Sequence, residues 1–126
     1  MNIDEIIEQT VNKTVLKLKM VGLMKDERKT AFQKTEELLR NYKAFKLSDQ
    51  PDTKKLVAKM DEALATISND DYFQIISMYY FNGYSREEIA WRFKTTETTI
   101  SRNKTRLINR IKAVIFSDDV IYELFL

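Results

Sequence analysis

Apolar residues recur at helical spacing along almost the whole chain. Ile3, Ile7, Val11, Val15 and Leu18 share one face, and Asp4 and Glu5 occupy the first turn. Residues 3–20 are therefore expected to form an amphipathic helix, ended by Gly22. A second helix is read from Asp26 to Lys46, with Phe32, Leu39, Tyr42 and Phe45 as its stripe. The segment from Leu47 to Pro51 is the clearest internal boundary. Proline suits the first turn of a helix and pushes the preceding Gln50 out of helical geometry. The next helix runs to Ile67 and is expected to bury Leu56, Met60, Leu64 and Ile67. Ser68 to Asp71 form a capping cluster. They open a dense apolar helix over residues 72–81, stopped by Asn82 and Gly83. So apolar a helix belongs at the centre of a core.

The remaining elements are defined by caps. Ser85 with Glu88 makes a capping box for a short helix ending near Phe93. Lys94 to Thr96 is a turn, with Thr95 or Thr96 as the next N-cap. A long helix is expected from Glu97 to about Phe116, and a last short one over residues 120–126 after Ser117, Asp118 and Asp119. The chain has only two glycines and one proline, which argues for helices and against many short strands. The fold class is all-α. A helical N-terminal part, residues 1–50, serves oligomerisation or partner contact, and residues 51–126 form a helix-turn-helix domain.

Composition removes several chemistries. Cysteine and histidine are both absent, so zinc fingers, thiol nucleophiles and serine–histidine relays are excluded. No phosphate loop is present, and Glu87 and Glu88 are adjacent residues that diverge on a helix, with Glu88 already explained as a cap. The chain is therefore expected to be no enzyme and to carry no cofactor or metal. No apolar run spans a bilayer and the N-terminus lacks the features of a secretory signal, so a cytoplasmic location is expected.

Net charge is only +2, but it is unevenly placed. Residues 1–82 are neutral overall, residues 83–116 carry eight basic and three acidic side chains, and residues 117–126 are acidic. One short window thus holds the positive charge that a phosphate-binding surface needs.

That window also has the pattern of two helices crossing steeply over a short turn. Ala90 is the small residue at the crossing. Ile89, Phe93 and Ile100 form the apolar triangle inside the bend, and Leu107, Ile111 and Ile115 continue the buried stripe. Glu97, Thr98, Thr99, Ser101, Arg102, Thr105 and Arg106 are left facing outward. Short hydroxyls followed by arginines suit a helix entering the DNA major groove. Arginine bridges guanine O6 and N7, discriminating by roughly 1–3 kcal/mol per good contact. Threonine and serine meet phosphates or thymine methyls. Lys94, Lys104, Arg110 and Lys112 are assigned to phosphates, and Thr96 completes the site at the helix start. Glu97 serves either the helix dipole or a cytosine amine. Tyr84 and Arg86 lie where a helix N-terminus meets phosphate. Trp91 is expected to pack in the core rather than against the sugar-phosphate backbone, and Tyr72, Tyr79 and Tyr80 are core residues rather than stacking platforms.

Residues Ser85 to Ile111 resemble the helix-turn-helix of sigma-factor region four, with Thr96 to Leu107 in the place of its recognition helix. More widely, the layout resembles the ArpU-type regulators of phages and prophages of Gram-positive bacteria. Leu38, Leu39 and Tyr42 match a helix of their N-terminal part, and Tyr80, Phe81 and Gly83 match the end of their aromatic helix. The resemblance implies transcriptional control inside a bacterial host, often activation of phage late genes. Its groove-reading positions fall on Glu97, Thr98, Thr99, Ser101, Arg102 and Arg106. Two positions depart from the pattern. Lys94 stands where the turn usually has glycine, and Asn103 where an apolar residue is usual. Double-stranded DNA is the expected partner, with RNA polymerase and a second copy of the chain as further candidates. Competing readings are a sigma-like polymerase subunit, a small-terminase-like packaging protein, and a helical module that binds no DNA.

Overall fold

The computed structural model describes residues 22–117, and every regular element among them is helical. The expected helices at 3–20 and 120–126 lie outside the described residues. Residues 22–25 are helical, so Gly22 does not end a helix as expected.

The segment read as one helix from Asp26 to Lys46 is divided. Asp26 to Lys29 forms a turn in which Arg28 donates to Asp26 at 3.0 Å. Thr30 then caps α1 (Ala31–Arg40) in a reciprocal capping box with Gln33. This satisfies amide donors at the helix start and moves that start several residues downstream. Asn41 interrupts the run, and α2 (Tyr42–Lys46) follows. Pro51 is the first residue of α3 (Pro51–Thr66), and Gln50 before it is extended, as proline requires. Leu64 is half-buried, while Leu56, Met60, Ala63 and Ile67 are fully enclosed.

The dense apolar segment is not a uniform α-helix. Asp70 accepts the Tyr72 amide at 2.9 Å in a turn, and α4 (Gln74–Ile76) opens into a wider π-helical turn, Ser77–Phe81. The Asn82 amide closes that turn on the Ser77 carbonyl at 2.9 Å. Gly83 leaves it at φ +71°, a left-handed conformation that glycine adopts without a side-chain penalty. Ile75 and Ile76, neighbours in the turn before the widening and so about 100° apart around the helix axis, face two different cores. Ile76 and Tyr80 belong to the main one, with Leu38, Leu39, Phe45, Leu56, Met60, Leu107, Ile108 and Ile111. Ile75 belongs to a small second one.

Two motif helices complete the chain, α5 (Arg86–Arg92) and α6 (Glu97–Ile115). The inner half of α6 packs against α1 and α3, so this helix is the strut of the bundle. Ile108 is fully buried there, beside the expected Leu107, Ile111 and Ile115. Around the π-turn, Tyr42 stacks on Phe81 with ring centres 4.9 Å apart. Tyr80 donates to Glu36 at 2.6 Å. Burial, aided by that carboxylate, raises the Tyr80 pKa far above its ordinary value and keeps the hydroxyl a donor. No helix among the described residues is long and apolar enough to cross a membrane.

Candidate nucleic-acid interface

The helix-turn-helix is held by the small core. Ile75, Ile89 and Ile100 are fully buried together, Ala90 closes the crossing, and Phe93 packs against them. Phe93 also stacks on Tyr72, with ring centres 5.5 Å apart. The expected triangle of Ile89, Phe93 and Ile100 is therefore present, with Ile75 of α4 added from the bundle. This added residue fixes the motif onto the body of the protein.

Local hydrogen bonds set both helix ends. Ser85 and Glu88 form both halves of the capping box. Past the end of α5, the Thr95 amide reaches the Ala90 carbonyl at 3.0 Å and the Lys94 amide reaches Trp91 at 3.2 Å. These are the two bonds of a Schellman closure, which requires a left-handed residue just beyond the cap. That residue is Lys94, at φ +54°. Lysine does stand where glycine suits the geometry, and it adopts the left-handed conformation in place. Thr96, rather than Thr95, caps α6 by accepting the Thr99 amide at 3.2 Å.

Along α6, Thr98, Arg102, Thr105 and Asn109 form an exposed stripe opposite the buried one. The Arg102 guanidinium has no hydrogen bond to any described residue and projects freely. Glu97 is exposed in the first turn of the helix. Thr99 is half-buried, its hydroxyl 3.0 Å from that of Thr96. Arg86 reaches from α5 to donate to Ser101 at 3.1 Å, bringing a second cation beside the first turns of α6. The sequence left Arg86 open, and the fold brings it to this surface. Lys94 is exposed in the turn nearby.

Other residues assigned from sequence are placed differently. Lys104 is half-buried, with its ammonium 4.2 Å from the centre of the Tyr79 ring, on the inner side of the helix rather than the outward stripe. Arg106 donates to both oxygens of Asp70, at 2.7 and 2.9 Å, and twice to Asn103, at 3.3 and 3.0 Å. Its fork is thus occupied, whereas base reading needs it open. Arg110 lies 3.6 Å from Asp70 and donates to the Thr66 carbonyl at 3.0 Å. Asn103 also donates to the Thr99 carbonyl at 2.9 Å. A polar residue at this normally apolar position is therefore paired on both sides. The Arg106 hydrogen bonds, with the Tyr72 amide, lower the Asp70 pKa to about 2 from the ordinary 3.8.

Trp91 corrects an expectation outright. It is 81% exposed, on the face of α5 away from Ile89 and Ala90, beside Glu87 and Glu88. Only one face of so short a helix is covered, and Ile89, Ala90 and Phe93 already fill it. Arg92 turns instead to Tyr84, with its guanidinium 4.6 Å from the ring centre. Tyr84 is thereby engaged and half-buried.

A capped two-helix motif with an exposed cation on its outer stripe is thus built onto a helical body. A family model for ECF sigma factors matches residues 23–113, which takes in that body as well as the motif. The chain belongs to the ECF sigma factor family. No curated protein and no solved structure gave a match. In this sigma-family chain the helix-turn-helix is the region-four-like unit, and its function is DNA-binding and regulatory in the manner of a sigma factor.

Proposed function

We propose that the protein is a sequence-specific regulator of transcription that inserts α6 into the major groove of duplex DNA. The reading is carried by the outward stripe of Thr98, Arg102 and Thr105 on a helix whose other face is locked into the core. A rigid helix presents side chains at fixed positions, which base recognition demands. Arg102 reads a base edge, with Thr98 and Thr105 beside it. Arg86, Lys94 and Lys112 meet phosphates, which position the helix without reading sequence. The resemblance to ArpU-type regulators makes activation of phage late genes the specific role. The family match through α1 to α3 favours a second reading over a packaging protein, namely a sigma-like factor that works on RNA polymerase.

The test is to select sheared host and phage DNA with the purified protein and sequence what is retained, beside an Arg102→Ala variant and a Lys112→Ala variant. Arg102→Ala is expected to relax preference at one base position, by roughly 1–3 kcal/mol. Lys112→Ala is expected to weaken binding to all sequences alike, with a salt slope shallower by about 0.9. No enrichment by the unmodified protein, or equal losses from both variants, would refute this reading. Co-purification with core polymerase in stoichiometric amount would mark the sigma-like role.

A further inference from the structure

Two of the cations on α6 are engaged by one carboxylate from outside the motif. Asp70 lies in the turn before α4, and Arg106 is 36 positions away. The guanidinium makes four hydrogen bonds, two to Asp70 and two to Asn103. Arg110 adds its charge from 3.6 Å, while its own hydrogen bond goes to the Thr66 carbonyl at 3.0 Å. The Asp70 side chain is only 15% exposed, while Arg106 and Arg110 are 43% and 46% exposed. The carboxylate is therefore sheltered and its partners face water. It is also held from behind, since one of the two oxygens that receive Arg106 also accepts the Tyr72 amide. Asp70 cannot follow the arginines outward. They would have to leave it.

A phosphate diester offers arginine the same paired-oxygen target as a carboxylate. The two acceptors compete for the same N–H groups. We infer that Asp70 is an internal stand-in for a DNA phosphate, which holds Arg106 off the nucleic-acid backbone and lowers affinity for DNA of any sequence. The inference rests on the DNA-binding reading above. Its consequence is specificity. Phosphate contacts supply the sequence-independent part of binding. Withholding one of them leaves base reading by Arg102 intact while weakening attachment to the wrong sites. Asp70 is a positioning residue, acting through Arg106 and touching no DNA itself.

The experiment is a salt titration of binding to a mixed-sequence duplex, with helical content checked by circular dichroism. Asp70→Asn removes the charge but keeps an oxygen for the Tyr72 amide. By releasing Arg106 it is expected to steepen the log–log salt slope by about 0.9 and to tighten binding roughly tenfold near ~0.1 M salt. Asp70→Glu keeps the charge and should retain the original slope. Arg106→Gln should leave the slope unchanged when Asp70 is present, and should lower the raised slope when combined with Asp70→Asn. This cycle separates competition from a structural role. An unchanged or weaker affinity in Asp70→Asn overturns the inference. So does a loss of slope in the single Arg106→Gln variant, which needs no change at Asp70. If neither the unmodified chain nor any variant binds the duplex at ~50 mM salt, the DNA-binding reading falls as well. Binding by the unmodified chain with no response to Asp70→Asn sinks only the inference.

Discussion

Lys94 shows how much one residue can carry. At φ +54° its β-carbon crowds the next carbonyl, a strain of roughly 1–2 kcal/mol that glycine escapes. Glycine would itself cost about 0.5–1 kcal/mol through the freedom it gives the unfolded chain. Lys94→Gly is therefore expected to stabilise the fold by roughly 0.5–1 kcal/mol, seen as a rise of a few degrees in thermal midpoint. The same change should weaken DNA binding, because a cation beside the start of α6 is lost. Opposite signs in the two assays would identify Lys94 as a residue whose charge outweighs its geometry. Its position was legible through the resemblance to sigma-factor region four, whose turn usually has glycine there. The engagement of Arg106 was not legible. An arginine on an exposed helix face reads as a free cation, and nothing local discloses a carboxylate 36 positions away. Arg102, one turn earlier, reads the same way and is exposed, with no hydrogen-bond partner among the described residues.

Among the elements, those with closed local chemistry were the ones the sequence showed clearly. Ser85 with Glu88 and Pro51 after Gln50 satisfy or remove donors within a few residues, so their geometry needs no distant partner. The segment from Tyr72 to Phe81 behaves otherwise. Its side chains suit a helix throughout and serve two cores, yet its backbone widens at Ser77–Phe81. Periodicity identifies a buried face but not which turn opens. The turn before α4 is tied to α6 through Asp70, and this link has a pH signature. The folded carboxyl titrates near pH 2, against 3.8 ordinarily, because Arg106 and the Tyr72 amide favour its charged form. A lowered folded pKa stabilises above the unfolded value, and that stabilisation fades as pH falls through the folded one. Urea unfolding at stepped pH should show a loss of stability between about 4 and 2, absent in Asp70→Asn. An unaltered acid profile in that variant would mean that other carboxylates carry it.

At the scale of the whole molecule, α6 does two jobs. Its inner face is the strut on which α1 and α3 pack, and its outer face carries the exposed stripe. The all-helical class and the motif were readable because both are written in spacing along the chain. The partners across the core were not. Tyr42 with Phe81, and Tyr80 with Glu36, meet only through the fold.

The exposed Trp91 has a use at the bench. It is the only tryptophan in the chain, and water already surrounds most of it in the native state. Its emission should therefore be red-shifted from the outset and move little on heating, while the far-ultraviolet dichroism of the helices collapses. A large blue-to-red shift on melting would contradict its exposure. Without any label, then, the indole serves poorly as a thermometer of folding and well as an optical sentry on the outer face of α5, turning blue when another surface dries it.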